Sequence, residues 1–391
     1  MSTEQIKKNI DIDPAIMTRL TEHARNHTTD LAKEDLWVPR SHFVSEQRLR
    51  QELAVLNSMP LVVAHRSELP DPGNFVTRTV LGKPLIIVRR SNGSVAAYLN
   101  MCSHRGGRVE TRESGSRRLF MCQYHGWSYD RDEGELKSVP YGEFFGEIDT
   151  KCLGLKAYKA QERHGLIFVD FSNNTGRSLE DYLGPEVDAQ MAPWQLDRAT
   201  IFLEKRFPIR INWKLVLDGA IDILHPQFLH PEGVGKLVST NLSAWRGYGR
   251  HGQHFGVRKK FEKLAIAGEV NAASTKYVAS NLVLYPNSMM IAAPEHIEFW
   301  TVWPSTESPS HCDISIRFFV NPDILDLEME RRISKSWEIL ENAAMNEDWP
   351  MELWIQENAE INSEGDFLYG RNEQPCQHLY RQLDRDIADL S

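Results

Sequence analysis

Two thiols and two imidazoles stand in two short pairs, Cys102 with His104 and Cys122 with His125, and seventeen residues separate the pairs. Thiolate and imidazole are ligands that transition metals such as zinc and iron prefer. A disulfide framework is not expected, because the chain has only five cysteines, an odd and sparse set. The two pairs therefore predict one metal centre that two loops share.

Two kinds of metal centre fit these four ligands. Zinc is one, since two cysteines and two histidines make a closed tetrahedral site, although zinc modules usually pair Cys with Cys and His with His. One cysteine and one histidine from each loop suit a two-iron, two-sulfur cluster better, which is the Rieske pattern. Neutral imidazoles make such a cluster easier to reduce, at roughly −150 to +300 mV against about −400 mV for plant-type ferredoxins. We predict an electron-relay centre.

A second group of possible ligands lies in "NWKLVLDGAIDILHPQFLH", which contains His225 and His230. Two histidines and a carboxylate form the ligand set of non-haem Fe(II) oxygenases, which leaves positions open for dioxygen. In a regular helix, a spacing of five would make the two side chains diverge by roughly 140°. Pro226 is expected to break the helix at His225, so that both imidazoles converge.

The carboxylate ligand is expected downstream, in "NEDWPMELWIQENAE". We favour Asp348 as the third ligand and keep Glu352 as the alternative, while helix capping is the structural explanation for Asp348. Asp222 precedes His225 by about one helical turn. A carboxylate there can accept the second ring N–H of a ligand histidine and fix its orientation.

The composition limits the class of protein. The 391 residues carry a net charge of −9, with 41% hydrophobic and 25% charged residues. These values are typical of a globular protein of about two domains and argue against nucleic acid or an anionic membrane as partner. No apolar run reaches the roughly 18 residues of a membrane span, and we predict a cytoplasmic protein. Cys152, Cys312 and Cys376 are expected to be buried.

The elements that must position these ligands follow from the periodicity of the chain. Short β-branched runs between turn signals predict an all-β domain over 56–172. Residues 173–391 alternate strand and helix patterns and predict a catalytic domain with an antiparallel sheet, so the fold class is α+β. Residues 1–55 predict a helical segment that packs on the catalytic domain. The polar stretch 250–275 is interpreted as a mobile loop.

The two ligand groups, in this order, resemble the alpha (catalytic) subunits of Rieske non-haem iron aromatic-ring-hydroxylating oxygenases. The resemblance covers residues from about 35 to 385. It is carried by "YHGWSYD" after Cys122, by the "NWK" run with Asp222, His225 and His230, and by the acidic helix around Asp348. It implies a catalytic domain of the helix-grip type.

The resemblance also implies where the cofactors bind. A Rieske 2Fe-2S cluster would be held by Cys102, His104, Cys122 and His125, and a mononuclear Fe(II) by His225, His230 and Asp348. Asp222 would be catalytic, linking His225 to His125 of a neighbouring subunit in a head-to-tail homotrimer, with or without a beta subunit. Within one chain the two centres would be too far apart for fast electron transfer.

The function that follows is the terminal oxygenase of a multicomponent system, which uses O2 to hydroxylate a small apolar or aromatic substrate. Its electrons would come from NAD(P)H through a separate reductase, with or without a ferredoxin, because the chain has no dinucleotide-binding glycine motif. Pocket residues are expected at Ile223, Pro226 and Phe228 and in 282–294. The alternatives are an O- or N-demethylating monooxygenase, a Rieske electron carrier without oxygen chemistry, and a structural zinc protein.

Overall fold

The computed structural model of the protein describes residues 12–150, 152–172, 178–293 and 295–390. The described helices are α1 (Pro14–Asn26), α2 (Glu46–Asn57), α3 (Leu179–Met191), α4 (Trp213–Ile221), α5 (Pro226–Leu229), α6 (Lys259–Ala267), α7 (Leu327–Ala343), α8 (Trp349–Ile361) and α9 (Gln374–Leu390). Within the ranges given above, no helix is both long enough and apolar enough to cross a bilayer.

The described strands are β1 (Leu36–Pro39), β2 (Pro60–His65), β3 (Asn74–Val80), β4 (Lys83–Arg89), β5 (Val95–Leu99), β6 (Ser114–Ser116), β7 (Leu119–Met121), β8 (Ser128–Asp130), β9 (Leu136–Ser138), β10 (Ala157–Arg163), β11 (Leu166–Asp170), β12 (Thr200–Ile209), β13 (Val238–Tyr248), β14 (His251–Arg258), β15 (Val278–Leu284), β16 (Ser288–Ala292), β17 (Ile297–Pro304), β18 (Cys312–Val320) and β19 (Asp366–Tyr369). All of their pairings are antiparallel.

The smaller of two compact units comprises residues 56–182 and 195–199. Its main sheet has the strand order β2-β11-β10-β5-β4-β3-β6, and β7, β8 and β9 form a second, three-stranded sheet. Buried side chains of both sheets, among them Phe75, Ile86, Phe120 and Tyr129, share one hydrophobic core. Cys102 lies just after β5 and Cys122 directly after β7, so this core sets the position of both ligand loops.

The larger unit contains the described parts of 1–55, 183–194 and 200–391. Its seven-stranded sheet has the order β12-β18-β17-β16-β15-β14-β13. Helix α4 contacts β17 and α8, and helix α9 contacts α4, β13 and β14. The sheet and these helices enclose the second ligand group, so its geometry depends on contacts between distant parts of the chain.

The N-terminal helix α1 packs on the larger unit. Asp13 caps the helix by accepting a hydrogen bond from Ala15 N–H, and Pro14 occupies its first turn. The apolar residues Ile16 and Leu20 recur at helical spacing and are buried against β13, β14 and α6. The amphipathic pattern of the sequence therefore describes this helix correctly.

The predicted α+β class is confirmed, and one local expectation is wrong. The stretch 250–275, interpreted as a mobile loop, forms strand β14, which lies next to the edge strand β13, and helix α6. Its polar residues misled the prediction, because His251, Gln253 and His254 are buried in the sheet. The sequence interpretation also missed helix α9. The domain boundaries at 55/56 and 172/173 stay a prediction.

Candidate metal centres

The two cysteine–histidine loops (102–107 and 122–127) share one backbone hydrogen-bond pattern. In each loop the cysteine N–H donates to the carbonyl five residues later, and the N–H four residues later donates to the cysteine carbonyl, at 2.8 to 2.9 Å. Gly106 and Gly126 occupy equivalent positions with φ of 76° and 74°. This left-handed conformation favours glycine, so each glycine closes its loop without strain.

The four predicted ligands form a buried end and an exposed end. Cys102 and Cys122 are each 3% exposed, whereas His125 is exposed. The His104 and His125 rings meet edge to face, with centroids 4.6 Å apart, and His104 stacks on Trp127 at 4.9 Å. The structure thus brings all four residues together, with the imidazole end facing outwards.

A two-iron cluster fits these residues better than a single zinc ion. Nδ1 of His104 is buried and has no hydrogen-bond partner, which is expected of a nitrogen that serves as a metal ligand. A tetrahedral zinc would hold its four donor atoms within about 4 Å of one another. In the described part of the chain, the one group of at least three possible ligands whose donor atoms lie within 4.8 Å of one another is His225, His230 and Asp348. The donor atoms of the two cysteine–histidine loops are therefore spread more widely than a single zinc ion requires. Burial and the nearby Cys102 thiol also raise the pKa of Cys122, so a bound metal is needed to favour its thiolate.

Helix α4 directly precedes the segment with His225 and His230 and is anchored by buried polar side chains. Asn212 caps the helix by accepting from Lys214 N–H at 3.0 Å. Lys214 is fully buried and pairs with Glu52 at 2.9 Å, and Trp213 Nε1 donates to the same carboxylate at 2.8 Å. Gln356 of α8 accepts from Asn212 N–H at 3.0 Å. These contacts connect α4 to α2 and α8 and fix its direction.

The break that makes the two histidines converge lies earlier than the sequence predicted. Helix α4 ends at Ile221, and Asp222 is extended with φ −69° and ψ 137°. His225 itself has helical dihedrals, φ −64° and ψ −32°, which contradicts the expected effect of Pro226. Pro226 instead begins helix α5, where a missing N–H costs nothing. The reversal at 222 therefore does what the proline was expected to do.

His225, His230 and Asp348 converge on one point. Their donor atoms all lie within 4.8 Å of one another, and Nε2 of His230 and of His225 are 2.9 and 3.5 Å from an Asp348 oxygen. The other nitrogen of each ring already has a carboxylate partner. Nδ1 of His225 contacts Asp222 at 2.9 Å, and Nδ1 of His230 contacts Glu347. Both rings can therefore present an unprotonated Nε2 to a metal ion.

Glu347 contacts His230, and the sequence reasoning did not assign this contact. It lies in a π-helical turn, Ala344–Asp348, between α7 and α8. The wider turn places two consecutive acidic residues against the same histidine, and such turns are frequent at functional sites. Asp348 makes no capping hydrogen bond to α8, so capping does not explain it. The acidic pair "ED" before an aromatic residue was the available signal.

Glu352, the alternative third ligand, is placed differently. Its carboxyl group is buried against Gly219, where a Cβ atom would overlap it, and its Oε2 has no hydrogen-bond partner. Burial raises its pKa well above the usual value, and the charges of Asp348 and Asp218 add to this rise. The ligand group found in the described structure includes Asp348 and not Glu352.

The pKa values of Asp348 and Asp222 are shifted in opposite directions. Burial raises the pKa of Asp348, and the two nearby histidines only partly offset this rise. For Asp222 burial acts in the same direction, but hydrogen bonds from His225 and from the Leu224 backbone outweigh it and lower the pKa. Asp222 is therefore held as an anion beside His225, where it stabilises the Nδ1-protonated ring.

A cavity of about 650 Å³ adjoins His225, His230 and Asp348. This volume lies within the range of small-molecule sites. Ile223 and Pro226 line it as predicted, together with Met289 and Ile291 of 282–294. The expectation for Phe228 is wrong, because its side chain is 75% exposed, on the outer surface of α5. Cys312 and Cys376 are buried as expected, whereas Cys152 is exposed.

Two family models cover most of the chain. The Rieske [2Fe-2S] domain matches residues 59–149, and the catalytic domain of the ring-hydroxylating alpha subunit matches residues 190–389. The chain belongs to the ring-hydroxylating oxygenase alpha-subunit family. This match confirms the family resemblance and the enzyme class that the sequence predicted. It also confirms the two predicted cofactors, a Rieske 2Fe-2S cluster and a mononuclear iron.

Individual relatives of this alpha subunit include dioxygenases and monooxygenases. The large oxygenase component of a naphthalene 1,2-dioxygenase system from Pseudomonas fluorescens is 33% identical over 237 residues, covering 56% of this chain and 51% of that protein. A glycine betaine monooxygenase oxygenase subunit from Pseudomonas aeruginosa is 29% identical over 347 residues, covering 78% and 79%. The first of these matches therefore spans about half of the relative's length.

The fold of the alpha subunit also matches a solved structure. The quaternary ammonium Rieske monooxygenase CntA in complex with L-carnitine has a TM-score of 0.75, covering 96% of this chain and 98% of that chain. The sequence identity is 18%, so this likeness concerns the fold. The assignment of individual ligands in the present chain stays a prediction, which the geometry described above supports.

Proposed function

We propose that this alpha subunit is the terminal oxygenase of a multicomponent system that hydroxylates a small apolar or aromatic substrate. One observation carries the proposal. The convergent His225, His230 and Asp348 lie in the wall of a 650 Å³ cavity that apolar residues such as Ile223 and Met289 line. An iron held there would face the bound substrate directly, which oxygen transfer requires.

The proposal assigns the cluster to Cys102, His104, Cys122 and His125, and the mononuclear iron to His225, His230 and Asp348. When bound, the cluster supplies single electrons and the iron supplies the oxygen chemistry. The protein supplies the rest. Asp222 and Glu347 accept hydrogen bonds from the Nδ1–H groups of the two proposed ligand histidines and so fix both rings. The apolar cavity wall excludes water and orients the substrate.

Electron delivery is proposed to pass through Asp222 from His125 of a neighbouring subunit in a homotrimer, with or without a beta subunit. Each group is accessible in the present chain, since His125 is exposed and the Asp222 side chain is 19% exposed. Asp222→Asn should keep both metals but slow turnover at least about 100-fold, because the amide removes the charge that orients the ligand ring. Single-turnover oxidation of the reduced cluster measures this step, and a normal rate would contradict the bridging function.

The remaining partners are proposals of the same kind. A separate NAD(P)H-dependent reductase, with or without a ferredoxin, would reduce the cluster. A cytoplasmic location is proposed because the described cysteines are unpaired thiols, as expected in a reducing compartment. No nucleic-acid or membrane partner is proposed for a chain with a net charge of −9.

A monooxygenase that removes O- or N-methyl groups is the second candidate. It is favoured by the identity with the glycine betaine monooxygenase subunit and by a carboxylate, Glu298, in the cavity wall. Both reactions use the same iron ligands, so the position of the substrate decides between them.

Product analysis under labelled dioxygen tests the proposal. The holoenzyme, with a reductase, is incubated with a panel of aromatic and methylated substrates, and label and formaldehyde are measured. Two labelled atoms in the product indicate dihydroxylation, and one labelled atom or formaldehyde indicates the monooxygenase. Cluster reduction without label in any product would support an electron carrier and contradict both candidates.

A further inference from the structure

The sheet that forms one wall of the 650 Å³ cavity has a polar row in an otherwise apolar surface. His254 of β14 is directly opposite Asn281 of β15, which is opposite Ile291 of β16, which is opposite Glu298 of β17. All four residues line the cavity. Three of four neighbours on one face of the sheet are therefore polar, which apolar substrate binding alone does not require.

Two members of this row lack hydrogen-bond partners. His254 is 2% exposed, and neither of its ring nitrogens has a partner. The Oδ1 atom of Asn281 is also buried without a partner. Leaving a buried polar group without a partner destabilises the folded state, so native structures usually provide one. Both groups line the cavity, so a molecule bound in it is the available partner.

The protonation state of His254 defines what it can recognise. Burial lowers its pKa to about 4, so the ring is neutral near pH 7. A neutral imidazole offers one N–H donor and one acceptor nitrogen. Gly256, two residues along the strand, has no side chain, and its Cβ position is 3.3 Å from Cε1 of His254. The ring therefore leans along the cavity wall over Gly256.

We propose that His254 and Asn281 form a subsite for a neutral hydroxyl group on the substrate. Residues opposite each other on antiparallel strands have Cβ atoms about 4.5–5.5 Å apart, so both side chains can reach one ligand oxygen. That oxygen accepts from the His254 N–H and donates its own hydrogen to Asn281 Oδ1. The inference rests on the proposed function, because the subsite positions a substrate beside the iron ligands.

Other polar groups match the pair less well. A carboxylate has no hydrogen for Asn281 Oδ1, and the carboxylates of Glu298 and Asp222 in the same cavity would repel it. An ammonium group could donate to the acceptor nitrogen of His254, but the carboxylate of Glu298 in the same cavity is the stronger partner for a cation. An alcohol or phenol gives a partner to one ring nitrogen of His254 and to Asn281 Oδ1 at once. The inferred substrate class is therefore an apolar ring or chain that carries a hydroxyl group.

Affinity measurements on matched probe pairs test this inference. Dissociation constants of the holoenzyme are measured by equilibrium dialysis for naphthalene and 2-naphthol, and for biphenyl and 4-hydroxybiphenyl. The hydroxylated member should bind about 10-fold more tightly or better, as expected for a hydrogen-bonding pair that is otherwise unsatisfied. Asn281→Leu, of similar volume, should reduce the preference to about 3-fold or less. Leu282→Met, next to Asn281 in the chain but not among the residues that line the cavity, is the matched control and should keep it.

The outcomes separate this inference from the proposed function. Equal affinities within both pairs, or a preference that Asn281→Leu leaves intact, would overturn the hydroxyl subsite. Tighter binding of 1-naphthylmethylamine than of 2-naphthol would also overturn it and place recognition at Glu298. Because these are binding measurements, they hold whatever the oxygen-label experiment gives. Absence of label in every product would contradict the oxygenase alone.

Discussion

The cysteine–histidine loops and the His225–His230–Asp348 site are stabilised over different distances along the chain. Each backbone hydrogen bond that shapes a loop spans four or five residues. At the other site, His230 contacts Glu347, which is 117 residues away in the chain. Lys214 of helix α4 contacts Glu52, which is 162 residues away. The loops therefore depend on local turn geometry, whereas the second site depends on the packing of the whole larger unit.

This difference predicts that the two metals can be lost separately. His225→Ala removes one of the three proposed ligands of the mononuclear iron and leaves both loops unchanged. Iron content should fall by about one third, and turnover should be lost, while the visible spectrum of the cluster remains. Cys122→Ser is the matched variant and should lose the cluster spectrum. Loss of both metals from either variant would show that the sites are not independent.

The long-range support of the second site predicts a large effect at Glu52. Glu52→Ala leaves the fully buried Lys214 without its carboxylate and Trp213 without its acceptor. Breaking a buried pair in this way costs about 3–5 kcal/mol of unfolding free energy. Urea denaturation of the whole protein measures this loss of unfolding free energy. Glu46→Ala on the same helix is the control, because Glu46 is 77% exposed and its pair with Arg50 contributes about 0–1 kcal/mol.

A pH-dependent effect is expected at Asp218, beside the same site. Burial raises its pKa from 3.8 to about 7, with Asp222 and Glu373 adding to the rise against hydrogen bonds from Cys376 and Tyr369. Between these two values the unfolded chain is ionised and the folded chain is not, so stability is lost as the pH rises towards 7. Asp218→Asn should remove this loss.

The measurement is the unfolding free energy of both proteins at about pH 5 and pH 8. The wild type should lose on the order of 3 kcal/mol more than Asp218→Asn between these conditions. Tyr369 and Tyr380 can still donate to the amide oxygen, as they do to the carboxyl oxygen of Asp218 at 2.6 and 3.2 Å. Parallel pH profiles for the two proteins would contradict the buried, protonated carboxyl group.

The local character of the loops predicts smaller effects there. Gly106 and Gly126 have nearly the same positive φ, but a Cβ would meet nothing within 4 Å at 106 and would lie 2.9 Å from Pro140 Cγ at 126. Gly106→Ala should cost about 1–2 kcal/mol from backbone strain alone. Gly126→Ala should cost more, because a rigid proline ring must also move. Thermal unfolding of the whole protein compares the two variants. Equal losses of stability would contradict the contact with Pro140.

The same difference explains what could be predicted from the sequence. The predicted cluster ligands follow from spacing, since the geometry of each loop is encoded within six residues. His225, His230 and Asp348 were found by residue type. The reason for their convergence could not be predicted from the sequence. It depends on the end of helix α4 at Asp222 and on the π-helical turn before Trp349, and both of these depend on tertiary packing.

Other parts of the fold show the same limit. Strand β14 was taken for a loop because its polar residues are buried by neighbouring strands, which no local pattern reveals. The unpartnered nitrogens of His254 could be found only once β15 was placed beside it. Helix α9 is different, since Leu379, Leu383 and Ile387 recur at helical spacing and the pattern was available.

Anomalous diffraction at the iron absorption edge, from crystals of the purified holoprotein, tests most directly that this chain holds two unlike iron centres. The account predicts a pair of iron peaks between the two cysteine–histidine loops and one separate peak bound by His225, His230 and Asp348. A single peak at the loops, a zinc signal there, or no iron at the three converging residues would contradict it.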